Sequence, residues 1–581
     1  MANKLELTWY GKENKPKIEP RLLIENKDLS NIENDSQTEN MLIHGDNLLA
    51  LKALENKYAG KVKCIYIDPP YNIAAMNEYY EDMLEHSEWL NRMKPRLELL
   101  KNLLSEDGTI WIQISDEEQA YLKVLCDEVF GRSNFINMVS VNAKVGAGAS
   151  GGGEDKKLKK NIEYILIYAK DINSFQSFKP IYKKTELMSY IQKMKEDKKS
   201  FKYTSILYKC ENVEYYKTIK DGSNDDIVID RVLDYEIKSV KQVAKLENIS
   251  EAEVYKKYFK QIMTTTNAQT SIRKRVWDAT DSDNTMYIAT YIPKSGKDKG
   301  KIKKLIFMGR QKVLVIWLQD SAEEENNKIY KKERIGTYWD GFSWINVTKE
   351  GNVLFPMGKK PESLLERIIT MTTERNNLVL DSFLGSGTTA AVAHKMGRKW
   401  IGIEMGDHAY THCKVRLDKV ISGEDKGGIT KSVNWQGGGG YRFYELAPTL
   451  INQDAFGEYI INKDYNADML AAAVALHEGF TYNPSEETFW KQSTGSENSY
   501  LFVTTKHVTT AYLQAIADTM QEGEYLIIAC KSFDKTAENA FKNIIVKKIP
   551  QMLLSRCEFN KDNYNLNIVH PPVYDEVEDD D

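Results

Sequence analysis

A chain of 581 residues, 42% apolar and 28% charged, has the balance of an ordinary folded protein and length for three or four domains. This excludes a peptide, a fibrous repeat and a disordered chain. A net charge of −5 speaks against a protein that coats a polyanion over its whole surface, so any nucleic-acid contact is expected to be local.

Residues 1–40 are polar and weakly periodic and read as an N-terminal arm. With no apolar h-region behind Met1 and no run of 18 apolar residues, neither a signal peptide nor a membrane span is expected, and the reading is cytoplasmic. The six cysteines are scattered without a CxxC pair and read as reduced core residues rather than disulfides or metal ligands.

From Met41 to residue 171, short β-branched and aromatic runs alternate with amphipathic stretches, the pattern of a parallel sheet covered by helices. Strands are predicted at Val62–Asp68, Thr109–Ile114 and Tyr164–Ala169. Apolar residues at i, i+3/4, i+7 spacing predict a helix over Glu88–Leu104, kinked by Pro95. Asn142–Gly153 is too Gly-rich for an element interior and reads as a loop. Residues 172–345 are rich in lysine and tyrosine and irregular in period, which marks an inserted domain. The α/β pattern resumes over 346–436, with strands at Leu378–Phe383 and Trp400–Glu404 and a helix from about Thr388. Gly437–Gly440 reads as a hinge into a C-terminal α/β domain, 437–581, with an acidic tail.

The first strand ends in Asp68-Pro69-Pro70-Tyr71. Ligands of open α/β sheets bind at strand carboxyl ends. The Asp68 carboxylate and the Pro69 carbonyl, held by the φ restrictions of Pro69 and Pro70, suit the acceptance of two N–H bonds from an exocyclic amino group. Such a nitrogen is a poor nucleophile until its lone pair is drawn out of the ring. Tyr71 could stack on a base extruded from its duplex. Taken alone, the same four residues also make an ordinary strand-to-turn junction.

The strand Leu378–Asp381 runs into Phe383-Leu384-Gly385-Ser386-Gly387-Thr388. Its glycines allow a tight turn and close backbone approach, and no lysine follows at P-loop spacing. The next strand ends at Glu404, where an acid can reach ribose hydroxyls. An adenosine-containing ligand fits this pattern. S-adenosylmethionine, cationic and without phosphate, suits the acidic residues; NAD competes, although Ala390 stands where its third glycine is expected.

The order of the two motifs resembles the circularly permuted β-class amino-methyltransferases of DNA, and most closely the modification (Mod) subunits of type III restriction-modification systems. His44-Gly45-Asp46-Asn47, Gly358-Lys359-Lys360-Pro361-Glu362-Ser363 and several C-terminal stretches, among them Tyr465–Leu470 and Lys547–Leu554, also match. The resemblance implies a Rossmann-like methyltransferase core with an inserted target-recognition domain, and adenine N6 methylation in duplex DNA. It further implies a homodimer and a helicase-nuclease restriction (Res) partner. The catalytic residues would be Asp68, Pro69, Pro70 and Tyr71. S-adenosylmethionine would be held by Asp46, Lys360, Ser363, Asp381, Phe383, Gly385, Gly387, Thr388 and Glu404, with Phe383 against its adenine and Lys360 to Ser363 lining its methionine side. No metal is expected, because the sulfonium is already an activated leaving group.

Within 172–345, Arg273, Lys274, Arg275, Lys301, Lys303, Lys304 and Arg310, with aromatic residues including Tyr338 and Trp339, suit phosphate contact and base stacking. A solvated lysine-rich face has the same composition. Cytosine N4 methylation stays open, since the same two acceptors serve that amino group. So does a largely non-catalytic specificity subunit that directs a nuclease partner.

Overall fold

Strands of two to eleven residues, mostly apolar at the centre, build the central sheet of this protein. The computed structural model describes residues 6–72, 86–143, 161–294, 298–344, 347–355, 358–554 and 556–559. The Gly-rich stretch beyond Ala143 and the acidic tail lie outside them. Two compact units are present: one combines Met1–Lys179 with Gly336–Asp581, the other is Pro180–Ile335.

The first unit carries a ten-stranded sheet. Its strands are β1 (Leu23–Glu25), β2 (Met41–His44), β3 (Val62–Ile67), β4 (Leu104–Ile114), β5 (Phe135–Asn142), β6 (Ile162–Ala169), β7 (Tyr338–Trp339), β8 (Leu378–Asp381), β9 (Lys399–Glu404) and β10 (Arg442–Leu446). Their spatial order is β1-β10-β2-β9-β8-β3-β4-β6-β5-β7. From β10 to β4 neighbours run parallel, whereas β6 is antiparallel to β4 and β5. The central strands are buried on both faces, as a sheet covered by helices requires.

On one face α1 (Asn47–Tyr58), α2 (His86–Leu103) and α3 (Asp116–Cys126) pack Leu48, Leu51, Leu97, Leu100 and Leu122 against Ile65, Ile67, Ile110 and Ile112. Helix α2 continues through Pro95. On the other side of β3, α4 (Glu362–Thr372) brings Thr372 to Cys64. Helices α5 (Thr388–Lys395) and α6 (Val415–Ser422) follow β8 and precede β10. Among the described residues, no helix is long and apolar enough to cross a membrane. All six cysteines are free; Cys210 is exposed, against the expectation of a core residue, and the other five are buried.

Two sequence boundaries move. The segment read as an arm supplies β1, which pairs with β10, and buries Glu19, whose carboxylate accepts from the Leu450 N–H and the Thr449 hydroxyl. The presumed hinge at Gly437–Gly440 leads into β10, a strand of the central sheet beside β2, so the separate C-terminal sheet forms only after Leu446. That sheet has Ser499–Val508, Tyr525–Phe533 and Ile544–Lys548 in parallel.

The second unit is a closed six-stranded barrel in the order Ile262–Thr266, Val313–Trp317, Lys303–Met308, Met286–Tyr291, Asp226–Ser239, Ser205–Lys220. The helix Ser271–Ala279 sets Ile272 and Val276 against Ile227, Ile229, Tyr287 and Phe307. This unit is shorter than the 172–345 block read from composition.

Candidate active site

Strand register brings the two motifs together. Val379 pairs with Cys64 and Leu380 with Ile65, so Asp68, just past β3, and Asp381, the last residue of β8, lie at the same ends of adjacent parallel strands although far apart in sequence. Asp381 pairs with Gly402, and Glu404 with His44. The carboxyl edge of the sheet thus presents Asp68, Asp381, Glu404 and the His44-Gly45-Asp46 turn in a row. Between β8 and β3 the chain changes its winding direction, the place where open α/β sheets bind ligands.

At the Asp68 end, the carboxylate is held from both sides. Lys360 Nζ lies 2.8 Å from Oδ2, and the Tyr71 hydroxyl donates to Oδ1 at 2.7 Å. That hydroxyl also lies 3.0 Å from Oε2 of Glu163, which accepts from Gln113 Nε2 at 2.5 Å. Gln113 in turn accepts from the buried Tyr66 hydroxyl at 2.6 Å. Burial pushes the Asp68 carboxyl above its usual range; Lys360 opposes the rise and Glu163 adds to it. Burial pulls the Lys360 ammonium down, but Asp68 and Glu163 together outweigh it, and its pKa ends above the ordinary lysine value. Trp89 Nε1 donates to the Pro70 carbonyl at 2.9 Å.

Glu163, Gln113 and Tyr66 were not singled out in the sequence. β6 is antiparallel to β4, with Ile114 opposite Tyr164, so it is the start of β6, not its end, that reaches the carboxyl edge and delivers Glu163. The available signal was a polar side chain in an apolar run, as in Trp111-Ile112-Gln113-Ile114, where Gln113 is fully buried.

At the other end, Gly385 and Gly387 take φ of +57° and +80°, which other residues rarely adopt. A side chain at Gly387 would press on the Cys413 backbone at 3.3 Å, whereas the space around Gly385 is open. Glu404 stabilises this turn: Oε2 accepts from Gly385 N at 2.6 Å and Oε1 from Gly406 N at 3.1 Å. The Asp381 carboxylate accepts from Phe383 N and the Thr389 hydroxyl. Burial raises its pKa to about 7 against these two donors, and Asp68 and Glu404 add to the rise. The Ser382 Oγ beside it is buried with no partner among the described residues. An orphaned hydroxyl, an open glycine and mutually repelling carboxylates fit a polar ligand of positive charge.

The remaining expected cofactor residues sort differently. Phe383 is partly buried against the core and Ser363 is exposed on the first turn of α4. Asp46 caps α1, accepting from Leu48 N and Leu49 N, and pairs with Arg96 at 3.2 Å. The Thr388 hydroxyl is buried and accepts from Arg416 Nη1 at 2.8 Å, which braces the turn. Lys360 sits on Asp68, while its neighbour Lys359 donates to the Glu350 and Val353 carbonyls.

In the barrel unit, Lys274, Lys301, Lys304 and Arg310 are exposed. Lys303 pairs with Asp298 at 2.7 Å, and Arg275 donates to the Lys220 carbonyl. Two expected contact residues are corrected. Arg273 is buried and donates to the Gln311 and Lys312 carbonyls, tying its helix to a barrel hairpin. Trp339 is 2% exposed, sits in β7 of the central sheet and donates to the Gly336 carbonyl. Its neighbour Tyr338 is exposed.

A family model described as DNA methylase matches residues 62–414. The "Probable type III restriction-modification enzyme HindVI Mod subunit" of Haemophilus influenzae is 42% identical over 71% of this chain and 54% of its own length. The type III StyLTI Mod subunit of Salmonella typhimurium is 27% identical over 64% of this chain and 51% of its own. The chain thus spans about half the length of these relatives. Among solved structures, the PvuII cytosine-N4-specific DNA methyltransferase aligns over 68% of this chain and 92% of that one, with 16% identity and a TM-score of 0.30.

Proposed function

The chain belongs to the DNA methylase family whose model covers residues 62–414, and from that premise we propose that it transfers a methyl group from S-adenosylmethionine to adenine N6 in duplex DNA. The observation that carries the reading is the pairing of β8 with β3, which sets Asp381 and its glycine turn beside Asp68-Pro69-Pro70-Tyr71. S-adenosylmethionine, when bound, supplies an activated methyl group. Asp381, Phe383, Gly385, Gly387, Glu404 and the unpartnered Ser382 would hold it, with Asp46 and Ser363 at its margin. Asp68 and the Pro69 carbonyl accept the two N–H bonds of the target amino group, drawing its lone pair out of conjugation, and Tyr71 stacks on the extruded base.

The exposed lysines and Arg310 of the barrel unit contact phosphate, and they give affinity rather than sequence choice. By analogy with the Mod subunits it matches, the protein works in the cytoplasm as a homodimer that partners a restriction subunit. The test is methyl transfer from labelled S-adenosylmethionine to duplex DNA, with nucleoside analysis of the product. N6-methyladenine is expected, and Asp68→Ala is expected to lower the rate by about two to three orders of magnitude, as loss of a preorganised electrostatic partner does. N4-methylcytosine would move the target to cytosine. Binding of DNA and cofactor without turnover would favour a specificity subunit instead.

A further inference from the structure

The Lys360–Asp68 contact poses a problem for the chemistry just described. A carboxylate that shares its charge with an ammonium at 2.8 Å is a weakened acceptor for the neutral N–H of a base, and the same ammonium lies 4.9 Å from the centre of the Tyr71 ring, over its face. Lys360 therefore occupies both surfaces that the target base needs.

A second carboxylate stands ready. Glu163 Oε2 is 3.7 Å from Lys360 Nζ, near enough that a small torsion of the lysine chain exchanges its partner. Glu163 is anchored independently of the lysine, by Gln113 and through it by Tyr66. The Tyr71 hydroxyl, with a single proton, stands between the two acids, so they act as one unit.

We propose that Glu163 is a positioning residue of methyl transfer: it takes the Lys360 ammonium when the target amino group engages Asp68, and so restores Asp68 as a full-charge acceptor. This deepens the methyltransferase reading and rests on it. Asp68 is faced by Lys360, by Glu163 from β6, by Tyr66 and Tyr71, and by Asp381 from β8. Removing the Glu163 charge takes away one group that raises the Asp68 pKa; removing Lys360 takes away the cation that lowers it.

The experiment compares wild type, Glu163→Gln and Lys360→Gln in single-turnover methylation of duplex DNA across pH. S-adenosylmethionine affinity and thermal unfolding are measured alongside. Glu163→Gln is expected to slow transfer roughly 10- to 100-fold, the scale of one hydrogen bond to a charged group, with unchanged cofactor affinity. Its acid limb should move to lower pH, and that of Lys360→Gln to higher pH. A wild-type rate in Glu163→Gln overturns the proposal and leaves the methyltransferase reading standing. A slow variant with an unmoved acid limb also overturns it, because that is the behaviour of a packing residue. No transfer by the wild-type chain overturns both.

Discussion

Asp381 shows how a buried acid ties the cofactor site to stability. Its pKa is raised to about 7 by burial, well above that of the unfolded chain, so between roughly pH 4 and 7 the folded state binds more protons and stability falls as pH rises. Above pH 7 the penalty is complete. Asp381→Asn keeps an acceptor for the Phe383 N–H and is expected to be more stable than wild type above pH 7 and equal to it near pH 3. Urea unfolding at the two pH values checks this; an equal difference at both would remove the charge from the explanation. The two contiguous motifs at this scale were legible because each combines a strand end with turn chemistry within a few residues. Glu163 was not, because only the antiparallel direction of β6 carries it to the site. Arg273 and Trp339 were misread for a related reason: a basic or aromatic residue in a lysine-rich segment has the same letter whether its side chain meets solvent or a carbonyl.

Among the elements, α4, α5 and α6 are joined by a buried ionic cluster. Glu362 of α4 receives Lys395 of α5 at 2.8 Å and Arg416 of α6 at 2.7 Å, all with fully buried side chains, and Asp425 also pairs with Lys395. Arg416 reaches on to Thr388, so the cluster fixes the start of α5 and with it the glycine turn. Such a cluster is costly to break from one side, since it leaves a buried charge with fewer partners. Arg416→Met is expected to destabilise the fold by about 3–5 kcal/mol in urea unfolding and to weaken S-adenosylmethionine binding. A full-affinity, wild-type-stable variant would show that the turn stands without the brace. The strands themselves were legible as apolar runs: β3, β8 and β9 start and end within about two residues of their expected limits. The cluster was not, because its members come from four separate segments and no local period links them.

For the molecule as a whole, the inserted barrel has its own core and is expected to unfold cooperatively when Pro180–Ile335 is produced alone; a gradual melt without a baseline would contradict that. Its existence was legible in the shift to lysine and tyrosine, but its limits were not, since the polar composition continues across Lys179 and Gly336 while the topology changes there. The adjacency of β8 and β3 also has a consequence for synthesis. One edge of β3 must wait for the whole barrel and α4 to be made before its neighbour exists. At about 5–20 residues per second this leaves a buried-type apolar strand unpaired for roughly 15–60 s, longer than β-hairpins or helices need to form. The nascent chain therefore passes through a stage in which β3 and β4 are complete and half their sheet is missing, the state in which a chaperone or a misplaced strand has its best opportunity to bind.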